Sequence, residues 1–149
     1  MGWSNARPRT ALGDQSNEEE DPRVLAAALR AVCNAVCEFS PLKPLYIDQG
    51  LVSRLAEFIH PSVSELDYDG DSEDSLRFNS LWAIKNLVRK SILSMKQEVI
   101  RVLEWRKPLI VNIISLLSSP SPKILEQTLN ILRNLSEDED GIHLVINEL

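Results

Sequence analysis

The amino-acid sequence predicts an all-α protein, folded as a right-handed helical solenoid of about two and a half to three repeats. Apolar residues recur at spacings of three and four along most of the chain, as they do on one face of a helix. Glycine, which weakens helices, accounts for only 5 of the 149 residues. An asparagine also recurs in a similar apolar context at Asn34, Asn86 and Asn134, with separations of 52 and 48 residues. These separations are similar to the length of one unit in proteins built from stacked helical repeats.

The N-terminal segment 1–21 is predicted to be a disordered acidic tail. It combines Gly, Pro, Ser and Asn with a run of four acidic residues, and has too little apolar surface to fold alone. Asp21 and Pro22 then predict a helix start, because Asp caps helices well and Pro is tolerated at the first helical position. We expect residues 22–149 to form one repeat domain that is part of a longer array.

The first helix is predicted from Val24 to Cys37, and the two prolines within 40–44 end it. A short helical turn over 45–49 and a helix over 51–59 follow, separated by a glycine. The residues expected to face inward on the first helix are Ala28, Ala31, Val32 and Ala35. Those expected to face inward on the helix over 51–59 are Leu51, Leu55, Phe58 and Ile59.

The stretch 65–74 is predicted to be a solvated acidic insertion rather than a calcium site. An EF-hand loop that began at Asp67 would need Gly where Ser72 stands and Glu where Phe78 stands.

Most acidic residues lie in three runs, 14–21, 65–74 and 137–140. These runs hold 15 of the 22 acidic residues and none of the 16 Lys and Arg residues. A basic helical body with acidic loops suits an acidic or mixed-charge partner surface, or screening between loops and body. Ordinary solvated faces would give the same pattern.

The chain is organised around a helix predicted over 75–91. Its inward stripe, at helical spacing, is Ser80, Ala83, Ile84 and Leu87. A second face combines an indole, two amides and a guanidinium that could grip a peptide backbone and exclude water from it. The residues of that face are Asn79, Trp82, Asn86 and Arg89.

Further helices are predicted over 94–104 and from Pro108 to about Ser118. The inward residues expected on the second of these are Leu109, Ile113, Leu116 and Leu117. Ser121 and Pro122 then predict a cap and first turn for a helix over 123–136. Its expected inward residues are Ile124, Thr128, Ile131, Leu132 and Leu135. A last helix is expected from Ile142.

The run Trp82-Ala-Ile-Lys-Asn86 resembles the third helix of an armadillo repeat, in which Trp and Asn hold extended peptides along a concave groove. Residues 76–86 together with 124–135 are similar to the later repeats of the armadillo subunits of GID/CTLH ubiquitin-ligase complexes, and the armadillo likeness covers about 24–149. The resemblance implies a non-catalytic scaffold, cytoplasmic or nuclear, whose groove holds a substrate-receptor subunit beside other ligase subunits.

Two of the three units lack the Trp of the armadillo pattern. Arg30 and Asn130 stand where the other two units would need Trp, so a continuous row of Trp pockets for a basic localisation signal is not expected. The alternative is an armadillo adaptor of the nuclear-import or adhesion and signalling type.

The candidate peptide-binding residues lie on the three long helices: Asn34, Asn79, Trp82, Asn86, Arg89, Asn130, Arg133 and Asn134. The amides are expected to fix a peptide backbone, Trp82 to form an apolar wall, and the arginines to favour an acidic side chain or terminal carboxylate. A competing interpretation is that the amides bridge neighbouring backbone, the indole packs and the arginines are solvated.

No catalytic residue, metal site or cofactor is predicted. Cys33 and Cys37 are expected to be structural thiols, because zinc would need two further ligands. A small thiol-dependent or hydrolytic enzyme is the second alternative, although no nucleophile has a base nearby in sequence. No nucleic-acid partner is expected, because no aromatics interleave the basic residues. No membrane partner is expected, because the sequence has neither a long apolar window nor a secretory signal.

Overall fold

The structure is a computed structural model that describes residues 21–59, 75–104 and 107–147. This part of the chain forms eight α-helices and one small hairpin. The helices are α1 (Pro22–Ala35), α2 (Lys43–Asp48), α3 (Leu51–Ile59), α4 (Leu76–Val88), α5 (Leu93–Arg101), α6 (Leu109–Ser115), α7 (Pro122–Leu135) and α8 (Glu139–Asn147). The predicted tail, apart from its last residue, and the predicted acidic insertion lie outside the described residues.

The helices pack in three rows. The long helices α1, α4 and α7 lie side by side with α4 in the middle, the shorter helices α2, α5 and α8 form a second row, and α3 packs on α6. Two shorter helices therefore precede each of α4 and α7, as the sequence predicts, although α5 is longer than α6. The architecture is all-helical apart from the hairpin and is compatible with an armadillo-like solenoid.

Each long helix begins at a side-chain cap. Asp21 accepts a hydrogen bond from the amide of the second helical residue, while Ser75 and Ser121 accept one from the amide three residues on. These bonds satisfy amides that have no acceptor within the helix. Pro22 and Pro122 occupy the first helical position, where no amide donor is needed. Both predicted helix starts are confirmed.

The middle helix buries the predicted stripe. Ser80, Ala83, Ile84 and Leu87 are all fully buried, since α4 is surrounded by α1, α3, α5 and α7. The inward residues predicted for α7 are also buried or half-buried, and so are those predicted for α3.

The inward face predicted for α1 is wrong for two of its four residues, since only Val32 and Ala35 of the four are half-buried. Ala28 and Ala31 are exposed, and the buried residues are Ala26, Leu29, Cys33 and Val36. The polar residues Arg23, Arg30 and Asn34 mark the exposed side of α1, but α4 does not cover the whole of the remaining surface, and Ala28 and Ala31 stay outside the contact. The buried face is the one that meets α4.

The chain between α5 and α7 also departs from the prediction. The helix expected to reach residue 104 ends at Arg101, and β1 (Leu103–Glu104) pairs antiparallel with β2 (Lys107–Pro108). After α6 the chain tightens into a 3₁₀ turn over Leu116–Ser118, which leaves Leu117 exposed rather than inward. A tighter turn changes the direction of each later side chain.

Two lysines, on α2 and α5, are buried against the ends of the long helices α4 and α7. Lys43 on α2 donates a 2.9 Å hydrogen bond from Nζ to the carbonyl of Arg89, just after α4. Burial lowers the pKa of Lys43. Lys96 on α5, only 1% exposed, donates a 3.1 Å hydrogen bond to Asp138, just after α7. Each first helix of a unit therefore reaches the end of the long helix of the same unit.

Gly141 lets α8 begin against the end of α7. A Cβ atom at this position would lie 1.9 Å from the carbonyl oxygen of Leu135, so no other residue fits without a backbone shift. The Gly141 amide also donates a 2.7 Å hydrogen bond to Asp138 Oδ1. That bond, and a second one from Lys96, lower the pKa of the Asp138 carboxyl group.

Candidate peptide-binding groove

One face of α4 carries an aromatic and basic surface. Phe78, Trp82 and Lys85 stand at i, i+4 and i+7, so they lie on the same side of the helix, and all three are half-buried. The ring centroids of Phe78 and Trp82 are 6.2 Å apart and tilted, and Lys85 Nζ lies 5.5 Å from the Trp82 ring centroid. These are distances at which aromatic and cation–π contacts are favourable.

A cleft of about 300 Å³ opens over this surface. Arg30 on α1 and Gln127 on α7 complete its lining, so the cleft crosses all three long helices. This is room for one side chain and the peptide backbone around it, rather than for a large cofactor.

Gln127 gives the cleft a polar group without a partner. The residue is 7% exposed, and its side-chain oxygen has no hydrogen-bond partner among the described residues. An amide oxygen accepts hydrogen bonds, and a buried one without a donor is unfavourable. The oxygen has almost no accessible surface, so a peptide N–H reaches it only if the side chain turns toward the cleft.

The charge around the cleft is mainly positive. Arg30 contributes an exposed guanidinium and Lys85 a half-buried ammonium group. Burial lowers the pKa of Lys85, an effect opposed by the nearby Cys33 and Glu126. An acidic group in the cleft would compensate the lysine for its lost hydration.

The structure uses two of the predicted asparagines to join neighbouring helices. Asn86 Nδ2 donates a 2.9 Å hydrogen bond to the carbonyl of Cys33 on α1, and Asn134 Nδ2 donates a 3.2 Å hydrogen bond to the carbonyl of Lys85 on α4. The two acceptors, Cys33 and Lys85, are the residues immediately before Asn34 and Asn86, which are the asparagines of the preceding units. The same two atoms therefore pair at equivalent positions of the repeat alignment made from the sequence.

Asn79 does not share the exposed face of Trp82, and that prediction is wrong. The residue is fully buried, and its side chain donates a 3.0 Å hydrogen bond to the carbonyl of Ser75. Its own carbonyl accepts a hydrogen bond from the Cys33 thiol, which shows that this side of α4 faces α1.

The remaining predicted residues lie outside the cleft. Arg89 is exposed and pairs with Glu38 at 3.1 Å. Asn34 and Arg133 are exposed and Asn130 is half-buried, and none of them lines the cleft.

Sequence reasoning placed Trp82 correctly at the surface but missed Phe78, Lys85 and Gln127. The i, i+4, i+7 spacing of 78, 82 and 85 was the available signal. It was obscured because 79, 82 and 86 fit helical spacing equally well.

Comparison with known proteins identifies the family. The profile of the VID28/GID5 C-terminal domain matches residues 14–146. The chain belongs to the VID28/GID5 C-terminal domain family. The predicted likeness to the armadillo subunits of GID/CTLH complexes is thereby confirmed.

Relatives of this VID28/GID5 C-terminal domain carry consistent names. Armadillo repeat-containing protein 8 of Danio rerio is 31% identical over 124 residues, which is 83% of this chain and 16% of the relative. GID complex subunit 5 of Schizosaccharomyces pombe is 24% identical over 147 residues, 93% of this chain and 17% of the relative. The chain thus spans about a sixth of the length of these relatives. No solved structure matches it.

The two cysteines of this VID28/GID5 C-terminal domain lie in different environments. Cys33 is buried, and burial raises the pKa of its thiol to about 11. Cys37 is exposed. Within the described residues no three His, Cys, Asp or Glu side chains cluster as metal ligands would. In the same ranges, no helix has the length and apolar character needed to cross a membrane.

Proposed function

We propose that this chain is a non-catalytic protein-binding scaffold in a multi-subunit ubiquitin ligase of the GID/CTLH type. In this proposal its cleft holds an extended peptide segment of a substrate-receptor subunit. The family match and the relative named GID complex subunit 5 support the setting. The proposal includes a right-handed solenoid of two and a half to three repeats, which forms part of a longer array.

The observation that carries the peptide proposal is the composition of the cleft. An aromatic wall, the Gln127 side chain, whose oxygen has no donor among the described residues, and two cations line about 300 Å³. Peptide grooves need these three features to hold, respectively, an apolar side chain, a backbone amide and an acidic group.

Each residue has a role in the proposal. Trp82 and Phe78 contact an apolar side chain, and Gln127 accepts a hydrogen bond from the peptide backbone. Arg30 and Lys85 attract an acidic side chain or a terminal carboxylate.

The flanks of the cleft extend this contact. Arg89 and Arg133 favour further acidic groups along the groove, while Asn34 and Asn130 offer amides to the peptide backbone. Asn86 and Asn134 act by holding the long helices in register. Asn79 is omitted because it is buried.

The remaining expectations belong to the same proposal. The protein acts in the cytoplasm, the nucleus or both, beside other ligase subunits, and uses neither membrane nor nucleic acid. The names of the relatives describe an armadillo-repeat protein and a complex subunit, and neither name is that of an enzyme.

Affinity purification of the tagged full chain tests the function. We expect ligase subunits to co-purify with the wild-type protein, and the receptor subunit to be lost from Trp82→Ala and Gln127→Ala. Phe39→Ala is the control, because Phe39 is a highly exposed aromatic residue that does not line the cleft. Recovery of importin-β or of membrane proteins alone, without ligase subunits, would contradict the proposal.

A further inference from the structure

The lysine of the cleft differs in environment from the other lysines whose side chains the structure describes. Lys43 and Lys96 are buried, and their ammonium groups donate hydrogen bonds to the residues that follow the long helices. Lys90 and Lys123 are exposed. Lys85 is half-buried in the wall of the cleft. Among these five side chains, that of Lys85 alone is both shielded from water and within reach of a small reagent.

The surroundings of Lys85 favour its neutral amine. Burial lowers the pKa of Lys85, and its Nζ atom lies 5.5 Å from the Trp82 ring centroid. The charge of Arg89 lowers this pKa further, whereas Cys33 on α1 and Glu126 on α7 raise it. Burial is the largest of these effects. A lysine that loses its proton more readily is a better nucleophile at neutral pH.

The same cleft contains a second cation that is suited to an anionic reagent. Arg30 on α1 lines the cleft together with Lys85, and a guanidinium group binds phosphate through two parallel hydrogen bonds. The cleft has a volume of about 300 Å³, which leaves room for a small molecule beside the amine. Because α4 has a long helix on each side, the cleft is walled by three consecutive long helices.

We propose that Lys85 is a site of selective acylation by small acyl phosphates, and that Arg30 holds their phosphate group beside the amine. In this reaction the ammonium group first loses a proton to water. The neutral nitrogen then attacks the carbonyl carbon, so that a nitrogen–carbon bond forms and the bond from that carbon to the phosphate oxygen breaks. The oxygen keeps the bonding electron pair and leaves as inorganic phosphate, and the nitrogen releases a second proton to water.

Acylation changes the chemistry of the cleft. The amide product is uncharged, so the cation–π contact with Trp82 and the attraction for acidic groups are both lost. The acyl group also occupies part of the cleft. We therefore expect acylation of Lys85 to prevent the binding of acidic peptides. This consequence rests on the proposed function, whereas the acylation itself does not.

Mass spectrometry of the full chain treated with acetyl phosphate at neutral pH tests the proposal. We expect Lys85 to be acetylated roughly threefold or more faster than Lys90 and Lys123, because its amine is more often neutral and a phosphate-binding group lies in the same cleft. Lys43 should stay unmodified although burial also lowers its pKa, since this residue is only 4% exposed and its ammonium group is hydrogen-bonded.

An arginine variant tests how the reagent is held. Arg30→Gln should slow the acetylation of Lys85 by acetyl phosphate and leave its reaction with the uncharged reagent N-hydroxysuccinimidyl acetate unchanged, because only the phosphate needs the guanidinium group. Arg54→Gln is the matched control and should alter neither rate, since Arg54 is an exposed arginine that does not line the cleft. Both positions are exposed, and unchanged circular dichroism will confirm folding.

Two results would overturn the proposal. One is acetylation of Lys85 no faster than that of Lys123, and the other is a rate with acetyl phosphate that Arg30→Gln does not change.

The effect on binding has a separate measurement. Fluorescence polarisation with a short labelled peptide, in which aspartates flank a leucine, should show affinity reduced by roughly tenfold or more after acetylation. Lys85→Arg should keep its affinity through the same treatment. Failure of the untreated protein to bind this peptide would count against the proposed function, and the acetylation rates would still decide the present proposal.

Discussion

The side-chain amide of Asn86 donates a 2.9 Å hydrogen bond to the backbone carbonyl of Cys33, 53 residues earlier in the chain. Asn134 makes the same contact with Lys85, 49 residues earlier. The acceptor carbonyls lie in the last turns of α1 and α4, and that of Lys85 accepts a second hydrogen bond, of 3.1 Å, from the Arg89 amide. The recurring asparagine therefore joins consecutive repeats.

Removal of either joining amide should destabilise the fold. We expect Asn86→Ala and Asn134→Ala each to lower the free energy of unfolding by about 1 to 2 kcal/mol, because each loses a shielded hydrogen bond. Asn34→Ala is the matched control and should change it by less than about 0.5 kcal/mol, since Asn34 is exposed. Urea unfolding at low protein concentration measures all three. Equal losses at the three positions would contradict the joining role.

Two glycines should resist substitution for different reasons. Gly141→Ala places a methyl group against the carbonyl of Leu135 and should cost about 2 kcal/mol or more. Gly50 has a φ of +80° and open space around it, so Gly50→Ala should cost only about 1 to 2 kcal/mol, from backbone strain. Gly50→Asn should recover part of that loss, because Asn tolerates a positive φ. Thermal unfolding that ranks Gly50→Ala as the more damaging change would refute this.

Asp138 should make stability depend on pH in the acid range. Its pKa is lower in the folded protein than in the unfolded chain, because the Gly141 amide and Lys96 stabilise the carboxylate. The carboxylate therefore stabilises the fold at neutral pH, and this contribution disappears as the pH falls below about 4. Melting temperatures measured from neutral to acid pH should converge for the wild-type protein and Asp138→Asn. Parallel curves would show that Asp138 contributes nothing.

The two thiols should differ in reactivity. Cys37 is exposed and should react with iodoacetamide in the native protein, whereas burial raises the pKa of Cys33 to about 11 and shields its sulfur. Mass spectrometry should find one alkylated cysteine in the folded protein and two after denaturation. Cys33→Ala serves to assign the native label. Rapid native labelling of Cys33 would contradict the structure and reopen the possibility of a thiol enzyme.

The cleft should prefer an acidic peptide to a basic one. Fluorescence polarisation should detect binding of a short labelled peptide with a leucine flanked by aspartates, and added salt should weaken it. Trp82→Ala should reduce this affinity by roughly tenfold or more, and Phe39→Ala should leave it unchanged. Tighter binding of the version with lysine in place of aspartate would favour the nuclear-import adaptor instead.

The sequence was most informative where a helix has neighbours on several sides. The buried stripe of α4 was predicted correctly, but α4 is buried around most of its circumference, and Leu81 and Val88 beside the stripe are buried as well. The face of α1 was predicted wrongly at two positions, because exposed Ala28 and Ala31 are as apolar as the residues that meet α4. Helical periodicity identifies the polar side of α1 at Arg23, Arg30 and Asn34, but it does not say how much of the remaining surface α4 covers.

The candidate site shows a related limit. Position 82 was identified from its aromatic side chain, yet Asn79 and Asn86 proved to face the neighbouring helix. Gln127 is distant in sequence, and only the packing of α7 on α4 brings it to the cleft. Helical spacing alone does not contain that information.

The two buried lysines have a consequence for synthesis on the ribosome. Lys43 leaves the exit tunnel well before Arg89 and Ser91, the residues to which its ammonium group donates. Until those residues emerge the nascent chain must leave this charge hydrated, so its early helices cannot close over it. The same delay applies to Lys96 and Asp138. The growing chain therefore completes the packing of α2 and of α5 only after the residues that follow α4 and α7, respectively, have been translated.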